Sequence, residues 1–387
     1  MTAHPFQDVA IVGVYNTVQA KRLPDHDAES IALEGAIGAL EDAGIAPSEV
    51  DGVVGQFAAE AIVELAMGAR TRRPNMLGIP ALLDAAALIT TRQCSVVLLA
   101  AGGASMYTDR TATAPWTRPA NEFVAGYGLF TAAEFALMAR RHMIDHGTTP
   151  EQLATVAATI RNNGHDNPEA VHFGRGPFTV RDVLDSRMVA EPFHLLDCAI
   201  TSEGGCGIVL ASAERASQNN GAVWILGAGS DCLGPSYTFA PVWDFRPRDD
   251  EDPAGRVGAR AARSAFRAAG LTADDVNVAE LYDPFSFEII RQLEVFGFCN
   301  EGEGGSFVEE GNIAPRGSIP VTTDGGTMSY SHPGIAAQQL QRVIRGVEQL
   351  RGTCATHQVE GAEVVICSNG GSGALFTDVV LLGKHRP

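Results

Sequence analysis

The sequence predicts an α/β protein in which one unit is built twice, and three observations carry that reading. In each half, an apolar run closing on glycine is followed by a helical run closing on Ala-Gly and an acidic turn. In each half, another strand, a helix and a strand ending in Gly-Gly then follow in the same order. Between the copies lies a long stretch, Tyr107 to Ser217, with helical patterns of its own. Agreement of both order and turn chemistry points to duplication, and strands alternating with helices predict a mainly parallel sheet in each half.

Taken in order, Val9 to Val14 reads as a buried strand. The helix from Ala28 to Ala43 has Ile31, Leu33, Ile37 and Leu40 at helical spacing and stops at Gly44. Ile45 to Asp51 is a turn, and Gly52 to Gly55 begins the next strand. A helix from Ala81 to Thr91 precedes the strand Val96 to Ala100 and Gly102-Gly103. In the second copy, Val223 to Gly227 is a strand, and Asp252 to Ala269 is a helix stopped by Gly270. Leu271 to Asn277 echoes the earlier turn, and Val278 to Leu281 is the matching strand. The helix Ile335 to Leu350 and the strand Val364 to Cys367, closing on Gly370-Gly371, complete the repeat. Asn121 to Asp145 and Pro150 to Asn162 supply helices to the insertion, which is placed to roof a ligand site. The division is 1–106 with 195–217 as an N-terminal half, 107–194 as inserted region, and 218–387 as a C-terminal half.

With 387 residues the chain can bury two domains or one large duplicated unit. Its 45% hydrophobic and 19% charged residues are those of an ordinary globular protein. Forty-two glycines spread along the chain point to closely packed helices and strands. A net charge of −18 argues against nucleic acid or an anionic membrane as partner, while leaving room for a locally basic pocket. Seven cysteines without a CxxC pair, and no signal peptide, fit reduced thiols in a cytoplasmic protein and give no zinc spacing. No apolar run approaches membrane-spanning length.

The stretch richest in chemistry is Thr323 to Gly334 (TDGGTMSYSHPG). Tyr330 and His332 are two residues apart, so in an extended segment they face the same side. A tyrosine and a histidine beside glycines suit a site that handles protons. The plainer reading is a Gly-rich turn whose histidine bonds locally.

A duplicated chain of this length ending in SHPG and CSNGGSG resembles the thiolase superfamily and is similar to its sterol-carrier-protein-X, or lipid-transfer-protein, type. The likeness spans nearly the whole chain and includes Asn167-Pro168, Leu184 to Pro192, Asp197-Cys198, Ser202 to Gly207, Glu280 to Ser286, Gly297, Asp324 to Gly326 and His332-Pro333. It implies a thiolase fold, a duplicated αβαβα five-layer unit, and a CoA thioester as substrate with no separate cofactor or metal. Ordinary thiolases use a nucleophilic cysteine whose counterpart falls near Pro74 to Gly78. No cysteine is there, and the nearest downstream is Cys94. Their motif Asn or His becomes Tyr282 in YDPF; His332 remains, and Cys367 matches their C-terminal cysteine.

A Claisen exchange must hold an acyl group, which Asn or Met cannot do. A retro-aldol cleavage needs only a base for the β-hydroxyl proton, donors for the thioester enolate, and an acid to quench it. The lost cysteine with gained tyrosines looks like the bacterial aldolases that shorten steroid side chains. That resemblance implies retro-aldol cleavage of a β-hydroxyacyl-CoA, a homodimer, and a DUF35-type partner combining an OB-fold and a zinc ribbon. Tyr282 and Tyr330 would divide the base and acid roles in an order left open, and His332 would help hold the thioester oxygen. Gly370 and Gly371 are candidates to line the pantetheine or an oxyanion, Tyr237 is a candidate substrate contact, and Cys367 is either structural or an acid/base group. Gly102-Gly103 are candidates for dimer packing. His142, His146, His165, His172 and His194 read as solvated or locally bonded. Two other readings compete: a thiolase or acyltransferase using Cys94 or Cys367, and a non-catalytic lipid-binding subunit of an acyl-CoA hydratase complex.

Overall fold

In the turn after the first helix, Asp51 accepts hydrogen bonds from the backbone N–H groups of Ser95 and Val96. In the second copy Asn277 accepts from Glu363 and Val364, the corresponding start of a strand. The two preceding helices both end on a left-handed glycine, Gly44 at φ 66° and Gly270 at φ 68°. A Cβ at Gly13 would stand 2.1 Å from the Ala39 carbonyl oxygen, and one at Gly227 would stand 2.1 Å from that of Ala265. Each half thus brings its first strand and outer helix to backbone contact through glycine.

The computed structural model describes residues 4–55, 62, 65–73, 78–104, 131–232, 256–371 and 376–387. Its main elements begin with β1 (Val9–Asn16), α1 (Ala28–Ala43), β2 (Gly52–Val54), β3 (Thr71–Arg73), α2 (Gly78–Thr90) and β4 (Val96–Gly103). The insertion adds α3 (Thr131–His146), α4 (Pro150–Asp166), α5 (Val180–Asp185), β5 (Met188–Ala190) and β6 (Phe193–His194). Then come β7 (Gly204–Ser212), β8 (Val223–Cys232), α6 (Ala259–Ala269), β9 (Val278–Glu280), α7 (Ser286–Val295) and α8 (Gly304–Glu309). The chain closes with α9 (Ile335–Arg351), β10 (Val364–Gly371) and β11 (Phe376–Gly383). The expected starts of the helices at Asn121 and Asp252 lie outside the described residues.

Nine strands form one sheet in the order β3-β2-β4-β7-β1-β8-β11-β10-β9. Pairing is parallel for β3–β2, β2–β4 and β10–β9. It is antiparallel wherever β7 or β11 takes part. The expectation of a mainly parallel sheet is therefore corrected: each half has a reversed strand wedged into it. β7 opens Gly-Gly-Cys-Gly, a composition of low strand propensity that reads as a loop, yet every residue but the last, Ser212, is buried. The halves meet through two register pairs, Ala10 with Trp224 and Ile11 with Val223.

Helices α2 and α9 touch strands of both halves, while α1 covers β1, β4 and β7, and α6 covers β8 and β11. That stacks five layers, helix–sheet–helix–sheet–helix, with α2 and α9 in the middle. Among the described residues no helix is long and apolar enough to cross a membrane.

Candidate active site

The segment expected to be extended is not. Gly325 and Gly326 take φ of 105° and 56°, and residues Gly326–Tyr330 then form a π-helical turn. Only Ser331, between Tyr330 and His332, is extended. Side chains impose the turn by capturing its N–H groups. Asp283 accepts from Thr327 at 2.7 Å and Met328 at 3.1 Å, and Asp324 accepts from Gly326 at 2.8 Å. Such one-turn π segments recur at functional sites.

Two buried arginines lock this turn in place. Arg342 of α9 donates to both oxygens of Asp324, at 2.7 and 2.6 Å. Arg161 of α4 donates to the carbonyls of Met328, Leu196 and Cys198 at 2.7–2.8 Å. Asn163 and Asn167 of the same inserted region bond the carbonyls of Val321, Thr322 and Asp324. The insertion thus presents its polar side to the turn. Burial pushes the Asp283 carboxyl up to about 7 against the opposing pull of Arg342. For Asp324 burial acts the same way, but Arg342 outweighs it and the carboxyl sits below its usual range.

His332 is held at two points. Its Nδ1 lies 2.9 Å from the Ile200 carbonyl oxygen, and its backbone N–H donates to Ser202 Oγ at 2.7 Å. Ser202 Oγ contacts Ser331 Oγ at 3.0 Å, and Ser331 donates to Gln19 Oε1 at 2.6 Å. A carbonyl only accepts, so Nδ1 carries the proton and Nε2 the lone pair. Burial brings the imidazole pKa down to about 4, although the Ile200 bond pulls the other way. A neutral ring in this tautomer has no Nε2–H with which to hold a thioester oxygen. In this form Nε2 offers a lone pair rather than a proton.

Tyr282 follows β9, where its N–H donates to Ser368 Oγ and its carbonyl accepts from Gln292. Its hydroxyl oxygen lies 3.3 Å from Gln338 Nε2. Gln338 sits in the first turn of α9, its N–H bonded to the Gly334 carbonyl, directly after the His332 loop. A Cβ at Gly370 would stand 3.6 Å from the Tyr282 ring, so the end of β10 flanks the phenol. The structure therefore brings Tyr282, Gly370 and the start of α9 together. Tyr330 is buried, and its hydroxyl has no recorded hydrogen bond among the described residues. Burial first, then the carboxylates of Asp324, Glu348 and Glu169, raise its pKa well above the ordinary phenol value. It remains a phenol, able to give a proton.

Cys367 lies elsewhere. Strand alternation sends Ser368 toward Tyr282, while the Cys367 thiol packs on α9, 2.7 Å from where a Cβ at Gly346 would stand. It belongs to the apolar layer with Val343 and Val347, and burial raises its pKa well above the usual thiol value. Gly371 continues β10 opposite Phe376. Gly103 packs against the Pro333 carbonyl and Gly102 against that of Ala28, so these glycines serve contacts within the chain. Tyr237 lies outside the described residues, as do Pro74 to Leu77. Gly78 opens α2, where a Cβ would stand 2.1 Å from Gln339 Oε1 and 2.7 Å from Asn369 Nδ2.

Burial disfavours the thiolate form of six of the seven cysteines. Burial raises the thiol pKa of Cys94, and it takes Cys198, Cys299 and Cys354 up to about 12. It raises Cys206 as well. Of the inserted histidines, His142 lies between Thr148 and Glu294 of α7, and His165 Nδ1 accepts from Gly176. The sequence reading missed Gln338, Ser202, Arg161, Arg342 and Asp283. The available signal was α9 itself, whose Gln338, Gln339, Gln341, Arg342 and Arg345 are all buried rather than turned to solvent.

The five-layer duplicated fold and this strand-end site define a protein of the thiolase superfamily, and the chain belongs to it. The family model "Thiolase C-terminal domain-like" matches residues 243–384. Two relatives are each 32% identical. One is the acetyl-CoA acetyltransferase of Methanothermobacter thermautotrophicus, over 95% of this chain and 97% of that protein. The other is the 17-hydroxy-3-oxo-4-pregnene-20-carboxyl-CoA lyase of Mycobacterium tuberculosis, over 93% and 96%. The steroid side-chain-cleaving aldolase of Thermomonospora curvata is 28% identical over 97% of this chain and 98% of that protein. Among solved structures, an Ltp2-ChsH2(DUF35) aldolase matches with a TM-score of 0.84 at 27% identity, covering 99% of each chain.

Proposed function

We propose that the protein is a carbon–carbon lyase that cleaves a β-hydroxyacyl-CoA by retro-aldol chemistry, releasing a ketone or aldehyde and a short acyl-CoA. The carrying observation is that His332 is held as a neutral ring by the Ile200 carbonyl while burial raises the thiol pKa of six of the seven cysteines. The seventh, Cys232, sits at the exposed end of β8.

In this reading the Tyr282–His332 side takes the proton of the β-hydroxyl. Its O–H electrons become the new carbonyl, the Cα–Cβ bond breaks, and that pair passes into the thioester enolate. Tyr330, kept as a phenol, returns a proton to Cα, so one proton is taken and one given. Backbone around Gly370 and Gly371 supports the enolate or the pantetheine arm. Two relatives named for steroid side-chain or pregnene-carboxyl-CoA cleavage support a steroid or similarly bulky acyl group as substrate. The similarity to the solved Ltp2-ChsH2(DUF35) aldolase supports a DUF35-type partner, and a homodimer fits the family resemblance.

The test is incubation of the purified chain, with and without a DUF35-type protein, with a panel of β-hydroxyacyl-CoAs. Release of acetyl- or propionyl-CoA with a matching ketone or aldehyde is expected. Consumption of free CoA with a β-ketoacyl-CoA instead would assign the acetyltransferase-like activity.

A further inference from the structure

Gln338 is a buried glutamine that the fold does not need for its own sake. It is 2% exposed, its Nε2 contacts the Tyr282 hydroxyl at 3.3 Å, and its Oε1 has no hydrogen-bond partner among the described residues. A buried acceptor left unpaired destabilises the native state, and an aliphatic side chain of similar length would avoid that. A residue retained against its own burial cost, and touching a reacting group, marks a functional constraint. Its neighbour Gln339 is a contrast: both amide atoms are engaged, with the Gly370 carbonyl and with Asn369.

We propose that Gln338 is a positioning residue for Tyr282: its Nε2–H, donated to the phenol oxygen, fixes the direction in which the hydroxyl points at the strand end. The inference rests on the retro-aldol reading. Two independent elements make the contact rigid. Tyr282 is anchored through its backbone to Ser368 and Gln292, and Gln338 rides on α9, whose Arg342 is pinned to Asp324. The hydroxyl and the amide are thus held by structure that does not depend on their meeting. A donor aimed at the oxygen also stabilises negative charge there as Tyr282 gives up its proton.

The experiment compares wild type, Gln338→Leu, Gln338→Met, Tyr282→Phe and the double variant Tyr282→Phe/Gln338→Leu on a β-hydroxyacyl-CoA that the wild type cleaves. Thermal midpoints are measured alongside. The expected result is a kcat loss on the order of 10²-fold for either Gln338 variant, with KM changed by much less. Midpoints should be equal to or above that of wild type, and no further loss should appear on adding Gln338→Leu to Tyr282→Phe. Unchanged kcat overturns the inference while leaving the lyase reading intact. So does a loss that multiplies with that of Tyr282→Phe, or unfolding of both Gln338 variants. Absence of cleavage by the wild type across the panel removes the lyase reading and this inference with it.

Discussion

Nδ1 of His332 stands 2.9 Å from the carbonyl oxygen of Ile200, and this contact decides how the imidazole can work. It places the ring proton on the side away from the lone pair of Nε2. Burial holds the pKa at about 4 rather than the ordinary 6.5. Catalysis that needs neutral His332 therefore keeps that requirement satisfied from neutrality down through mildly acidic pH. The acid limb of kcat/KM due to this residue is expected near about 4, and a limb at the ordinary histidine value would contradict the assignment. Stability follows the same sign. Between 6.5 and about 4 the unfolded chain binds a proton that the native ring refuses, so the His332 contribution is full above 6.5 and is lost as pH falls.

Tyr282→Phe and Tyr330→Phe should each lower kcat by at least about 10²-fold, the usual cost of losing a placed acid or base. Tyr330→Phe breaks no side-chain hydrogen bond among the described residues, so its thermal midpoint should stay with that of wild type. Steady-state kinetics beside thermal melts check both points. Full turnover by either variant would remove that tyrosine from the acid and base roles.

Ser202→Ala removes the acceptor of the His332 N–H and the partner of Ser331. Two buried groups lose a bond, so destabilisation of about 1–3 kcal/mol is expected by denaturant titration. The rate should fall through kcat, because the imidazole loses its seat rather than the substrate its contacts.

Arg342→Leu leaves the Asp324 and Glu280 carboxyls buried without their cation. A loss of about 3–5 kcal/mol is expected for breaking a buried pair in this way. Urea unfolding of the variant measures it; a cost under about 1 kcal/mol, the range of a surface pair, would mean the network is not what holds the π turn.

Much of this architecture can be read from residue pattern. The acidic turns ending at Asp51 and Asn277 mark the duplication because their side chains do the same work in each half, bonding the N–H groups that open β4 and β10. The reversed strand β7 escapes notice because its glycines pack against helix backbone, Gly207 against Gly35, where pattern reading expects a loop. The residues Tyr282, Tyr330 and His332 come from motif register, but their division of labour does not. The proposed division rests on a carbonyl in the segment 195–203 and on carboxylates of other elements, none of which the local sequence announces. Helix α9 misleads for a related reason: its buried glutamines and arginines serve Tyr282, Asp324 and Thr323 instead of water.

The most direct measurement is mass spectrometry of the intact protein, quenched while it turns over a β-hydroxyacyl-CoA. The account predicts an unmodified chain throughout, with ketone or aldehyde and short acyl-CoA accumulating in solution, and the same turnover from Cys94→Ala and Cys367→Ala. An acyl group found in thioester linkage on any cysteine would contradict it.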